Sequence, residues 1–168
     1  KKNWRLKKNI SGGGILIDQG IHLIDLIIFL LKLKPSILHS LLSNSFLKKN
    51  LVEDNAFLQF RDTSKKIDVS IQSTMADWRY LFSIEIFLSK GQIILNGLKT
   101  PSGSYLPEKL TIKKKNGKIV FDKIYKVDNS FLKETKEFLD GSKIHNFKAN
   151  EQQLKLVMSI IFKAYENF

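Results

Sequence analysis

The chain's 168 residues are 43% hydrophobic and carry 28 Lys and Arg against 16 Asp and Glu, a formal net charge of +12, with no cysteine. Such a length can bury one substantial core, so a single domain over residues 1–168 is expected, and the missing cysteines exclude a disulfide framework and cysteine-ligated zinc. Lysine supplies 25 of the basic residues and arginine only Arg5, Arg61 and Arg79, whereas base and phosphate recognition leans on the bidentate guanidinium; the Lys, Ile and Asn richness reads as the coding bias of an AT-rich genome, nucleic acid is not an expected partner, and a weak preference for anionic ligands survives.

The first element is a helix opened by Gly12-Gly13-Gly14 and ended by Pro35-Ser36. Three glycines either permit a tight turn into the helix or let a backbone approach a ligand and offer free amides to an anion. Asp18 and His22 are four residues apart and Asp25 three further on, so helical spacing puts all three on one stripe. A carboxylate one turn from an imidazole can fix its tautomer and raise its basicity, which suits a general acid/base near neutral pH. Residues 15–31 are otherwise almost all apolar, so the helix is expected to be buried nearly all round, and three titratable groups there need a partner. A satisfied core histidine with a capping aspartate and a catalytic site both remain open. A metal is not expected, because no third ligand completes the set and neither His39 nor His145 lies in a matching motif. Residues 15–33 are about long enough to span a bilayer, but two aspartates and a histidine argue against insertion and no signal peptide is recognisable, so a soluble protein is expected.

After Pro35 the pattern changes to alternation, and residues 36–44, 52–61, 66–76, 80–89 and 92–98 read as strands. Alternation is clearest where Ile67, Val69 and Ile71 share one face and Asp68, Ser70 and Gln72 the other, as in a sheet covered on one side. Trp78-Arg79 faces either a partner subunit or a substrate. Asn116-Gly117 marks a hairpin between residues 110–114 and 118–121. Helical periodicity returns over 130–140, stopped by Gly141, and from Asn150 to the end. The order predicts an α+β fold: an open, mostly antiparallel sheet backed by helices. No tandem β–α–β units or G-x-G-x-x-G fingerprint occur.

Trp4-Arg5 followed by Gly12-Gly-Gly-Ile-Leu-Ile-Asp18-Gln-Gly20-Ile-His22-Leu-Ile-Asp25 resembles the pattern W-R, G-G-G-x-L-x-D-x-G-x-H-x-x-D of the C-terminal domain of the Gfo/Idh/MocA oxidoreductases. Val52-Glu53-Asp54-Asn55-Ala56 is similar to the family's V-E-D-x-A segment, and residues 84–91, ending in Lys90-Gly91, to its sheet segment. The resemblance implies an NAD(P)-dependent enzyme acting on a hydroxyl or carbonyl of a sugar, polyol or nucleotide sugar, with His22 as acid/base and Asp18 orienting it or sharing its proton. It implies that NAD or NADP is bound mainly by an N-terminal Rossmann domain absent from these residues, so that this chain alone is inactive. Cofactor or substrate would touch its edge at Arg5, Gly12, Gly13, Gly14 and Asp25. It further implies a cytoplasmic homo-oligomer, dimer or tetramer, formed through the open face of the sheet. The alternative is a non-catalytic sheet domain in which the helix triad is structural and the sheet serves dimerisation or partner binding.

Overall fold

A computed structural model describes residues 4–47, 52–77, 80–98, 107–140, 147–166 and 168, with 147–149 through their backbone. In chain order these form a 3₁₀ turn (Trp4–Leu6), α1 (Lys8–Ser11), a π turn (Leu16–Gly20), α2 (Ile21–Leu31), β1 (Ser36–Ser43), β2 (Asn55–Asp62), β3 (Ile67–Thr74), β4 (Ser83–Leu88), β5 (Gly91–Asn96), β6 (Glu108–Lys114), β7 (Ile119–Tyr125), α3 (Ser130–Leu139) and α4 (Phe147–Tyr165). The strands fall into two antiparallel sheets, β1-β2-β3 and β4-β5-β6-β7. The result is the α+β class that the order of elements predicts, with the ladder divided after β3. The chain divides likewise into two compact units, Lys1–Ala76 with Ile144–Phe168, and Asp77–Lys143.

In the first unit, β2 sets the layer. Ala56, Leu58, Phe60 and Asp62 are buried while Phe57, Gln59 and Arg61 point outward, the period of two of a sheet covered on one side. The cover comes from Ile24, Ile27 and Ile28 on α2 and from Val157, Ile160, Ile161 and Ala164 on α4, all buried and all at helical i, i+3, i+4 spacing. Each such apolar side chain contributes roughly 1.5–3 kcal/mol when fully buried. The β2–β3 turn is tied to the end of α2: Asp62, in the core at 1% exposure, accepts from the amides of Lys34 at 2.7 Å and Lys65 at 3.0 Å and from the Ser64 hydroxyl at 2.6 Å. These donors, the Lys34 amide foremost, hold its carboxyl down to about 2.

The first helix departs from expectation in three ways. Its regular part begins only at Ile21, because the Ile21 amide donates to the Leu16 carbonyl five residues back and so forms the π turn. It ends at Leu31, before Pro35, where Lys32 takes a left-handed conformation at φ 51° and Lys65 Nζ donates to the Leu31 carbonyl at 2.7 Å. It is also buried on one side only: His22 and Asp25 are exposed, as are Phe29 (54%) and Leu30 (51%). The sheet and α4 cover a single stripe, and Phe29 and Leu30 lie beyond it. The stretch Lys8–Leu31 is apolar enough by length and composition to cross a membrane, yet Gly12 at φ 81° breaks it and α2 itself has 11 residues, against the roughly 20 that a span needs.

In the second unit the hairpin read from Asn116-Gly117 is present. Gly117 sits at φ 81°, the Lys114 amide donates to the Lys118 carbonyl at 2.9 Å, and the Gly117 amide donates to the Lys114 carbonyl at 2.9 Å, as a residue tolerant of positive φ allows. α3 buries none of its residues. Trp78, Arg79, Gly141 and His145 lie outside the described residues.

Candidate active site

The glycine run is built against two distant segments. Gly13 and Gly14 are buried, and a Cβ on Gly13 would lie 2.0 Å from the Tyr165 hydroxyl, one on Gly14 1.9 Å from the Glu53 carbonyl oxygen. Only glycine permits that approach. What fills the space is the fully buried Glu53. Its carboxylate accepts from the Gly14 amide through both oxygens (2.9 and 3.0 Å), from the Leu16 amide at 3.0 Å and from the Tyr165 hydroxyl at 2.5 Å. The Ile15 amide donates to the Glu53 backbone carbonyl at 3.0 Å. A negative group thus sits where the first free amides of the helical segment need an acceptor and where the helix dipole favours an anion. Burial, and then the adjoining Glu53 carboxylate, push the Tyr165 phenol well above its ordinary range.

This geometry bears on how the glycines relate to a cofactor. Two of the three amides are engaged within the chain: Gly12 donates to the Lys8 carbonyl and Gly14 to Glu53. The resident carboxylate would also repel a phosphate. Gly14 thus closes the helical segment onto Glu53.

Asp18, His22 and Asp25 are placed by the π turn and the first turns of α2, but they do not form one network. Asp18, half-buried, has its Oδ1 3.4 Å from Arg5 Nε and accepts from Gln19 Nε2 at 3.3 Å. Arg5 in turn lies 5.2 Å from the centre of the Trp4 ring, so the Trp-Arg pair and the motif aspartate meet. Asp25 accepts from Gln153 Nε2 of α4 at 2.6 Å. His22 is exposed and makes no hydrogen bond to Asp18 or to any other described residue. Its imidazole is exposed, and the Arg5–Asp18 pair lies close by in sequence, with Asp18 one turn earlier. Among the described residues, no group of three His, Asp or Glu side chains could hold a metal.

Sequence reasoning missed the parts played by Glu53, Tyr165 and Gln153. Glu53 stood in a motif quoted for resemblance alone, and its companion Asp54 proves equally structural. Asp54 is buried and accepts from the amides of Ser45 at 3.1 Å and Phe46 at 2.7 Å, from that of Leu47, and from Asn55 Nδ2 at 2.6 Å. Burial pushes its carboxyl upward, but these donors together draw it below the usual range.

A family model described as the GFO/IDH/MocA C-terminal domain matches residues 1–94. Among solved structures, an aldose-aldose oxidoreductase from Caulobacter crescentus, complexed with glycerol, superposes with a TM-score of 0.71 at 20% identity, covering 99% of this chain and 50% of that one. An NAD-binding protein from Listeria innocua gives 0.61 at 19% identity, covering 99% and 50%. At such identities the likeness is one of fold. The chain spans about half the length of these two proteins. A sequence search of curated proteins gives no match.

Proposed function

We propose, since this chain belongs to the GFO/IDH/MocA C-terminal domain family, that it is the substrate-side half of an NAD(P)-dependent oxidoreductase acting on a hydroxyl or carbonyl of a sugar, polyol or nucleotide sugar. The observation that carries this reading is the placement of His22, an imidazole exposed on α2, whose preceding segment at Gly14 and Leu16 is held by a buried carboxylate. An acid/base must reach its substrate, and the exposure of His22 supports this reading. In oxidation an imidazole nitrogen of His22 accepts the proton of the substrate hydroxyl; in reduction it returns the proton to the oxygen. Asp18 and Arg5 bind neighbouring hydroxyls and orient the substrate, and Asp25 holds α2 to α4. NAD or NADP belongs mainly with a nucleotide-binding domain outside these residues, a reading supported by the family to which this C-terminal domain belongs. A cytoplasmic location is part of the same reading.

The test is His22→Asn in the full-length protein, followed by NAD(P)H absorbance with a panel of sugars and polyols. Loss of a positioned acid/base lowers turnover by about 10²- to 10⁴-fold. Turnover within a few-fold of wild type removes His22 from the chemistry.

A second reading, an assembly domain, draws on the outward face of the first sheet, where Leu41 is exposed directly opposite exposed Phe57 on the neighbouring strand. The two readings are compatible if a homo-oligomer forms through this face. Leu41→Lys with Phe57→Lys would then shift sedimentation towards the monomer. A shift of that kind, together with undiminished turnover of His22→Asn, would leave only the assembly role.

A further inference from the structure

The net charge is +12, and within the second unit lysines gather at one end of the four-stranded sheet. There the β4–β5 turn and the β6–β7 hairpin stand side by side, joined by the Lys115 amide donating to the Lys90 carbonyl at 3.0 Å. Gly91 makes the approach possible, since a Cβ there would lie 2.0 Å from the Lys113 carbonyl oxygen. The Lys118 amide, donating to Asn116 Oδ1 at 3.1 Å, fixes the hairpin tip. Between the two turns lies an open pocket of about 250 Å³ lined by residues that include Gln92, Lys113, Lys114 and Lys115. Lys90 and Lys118 belong to the same turns, which makes five lysines at this end of the sheet, Lys113 and Lys114 at the end of β6 and the other three in the turns.

The neighbouring carboxylates do not neutralise them. Glu85 accepts from Gln92 Nε2 at 2.8 Å. Asp122 is engaged by the Thr111 hydroxyl at 2.6 Å and by Lys109 Nζ at 3.0 Å, with Lys113 a weaker influence. None of the five lysines forms an ion pair among the described residues. Like charges on adjoining strands repel, and a mobile anion is the missing counter-charge. The pocket is smaller than the roughly 300–1,000 Å³ of ordinary small-molecule sites, and none of its lining residues is aromatic, so it offers a nucleoside no stacking surface. Lysine binds phosphate as a compact point charge.

We propose that this end of the sheet is a binding site for an anion bearing one or two phosphate groups, held by Lys113, Lys114 and Lys115 with support from Lys90 and Lys118. The test is titration of the isotope-labelled full chain with inorganic phosphate and with pyrophosphate at constant ionic strength, followed by amide chemical shifts. Saturable shifts are expected at Gly91, Gln92, Lys115 and Gly117, with pyrophosphate bound at least about tenfold more tightly because its two groups engage more lysines. Changing Lys113, Lys114 and Lys115 together to Gln should weaken binding at least about tenfold, while Lys155→Gln on α4 leaves it unchanged. All four are polar positions in which Gln retains most of the side chain, and circular dichroism checks that the fold persists. Shifts spread over lysines throughout the chain without saturation, or an unchanged affinity in the folded triple variant, overturn the proposal.

Discussion

Replacing Glu53 with Gln tests whether one buried carboxylate organises the start of the helix that bears His22. The carboxylate receives three donors, the Gly14 and Leu16 amides and the Tyr165 hydroxyl, and has no donor of its own in that state. Gln is nearly isosteric but keeps a single acceptor oxygen, and its NH₂ group must face at least one of the three donors. A hydrogen bond to a charged group contributes about 1.5–3 kcal/mol, and a partly buried anion at a helix N-terminus up to about 2 kcal/mol. These overlap, so the expected loss is about 2–4 kcal/mol. For a chain of this size that lowers Tm by about 4–16 °C. The assay is thermal and urea unfolding followed by circular dichroism on wild type, Glu53→Gln, Tyr165→Phe and the double variant. Because Tyr165 donates to the Glu53 carboxylate, Glu53→Gln weakens that bond by removing its charge and Tyr165→Phe removes it, so the double variant should be more stable than the sum of the singles predicts, by at least about 0.5 kcal/mol. A Glu53→Gln protein within about 0.5 kcal/mol of wild type, with additive behaviour in the double variant, would refute the reasoning.

Two further outcomes follow from the same packing. Gly14→Ala should destabilise by about 3 kcal/mol, because its Cβ would meet a backbone oxygen at 1.9 Å, whereas Gly12→Ala, with its nearest side-chain atom 3.7 Å away but φ at +81°, should cost about 1–2 kcal/mol; urea midpoints that rank the two the other way contradict the geometry. Asp62, whose folded carboxyl is held down to about 2 from 3.8, stabilises the fold fully above about pH 4 and loses that contribution as pH falls towards 2, and Asp54 shifts in the same direction. Asp62→Asn should therefore flatten the dependence of unfolding midpoint on pH between 4 and 2, and an unchanged slope would mean that the Lys34, Ser64 and Lys65 donors do not favour the ionised form.

How much could be read from the sequence depended on how far apart the interacting residues are. Asn116-Gly117 specifies its turn by its own backbone preferences, and the alternation about Ile67, Val69 and Ile71 reports one-sided cover, so both were legible locally. The glycine run was not: the Gly14 amide is taken by a carboxylate 39 residues away, and nothing in Gly12-Gly13-Gly14 distinguishes that acceptor from a ligand. Asp25 likewise finds Gln153 at a separation of 128 residues. Apolar content over residues 15–31 suggested burial on all sides, but composition does not say how many neighbours a helix has, and Phe29 and Leu30 remain exposed. The π turn escapes periodicity altogether, since one widened turn leaves apolar residues at spacings that an α-helix also allows.

The bond between Tyr165 and Glu53 also bears on the order of folding. It joins positions 112 residues apart, and contacts of such separation form slowly because a long loop must close before they repay its entropy. The sheet hairpins can form from neighbouring residues, but the turn that presents His22 lacks its full set of hydrogen bonds until α4 has docked. In the unfolding direction the Gly14–Leu16 segment loses one of its hydrogen bonds when the end of α4 detaches, so the stability of the candidate catalytic segment is coupled to residues far along the chain.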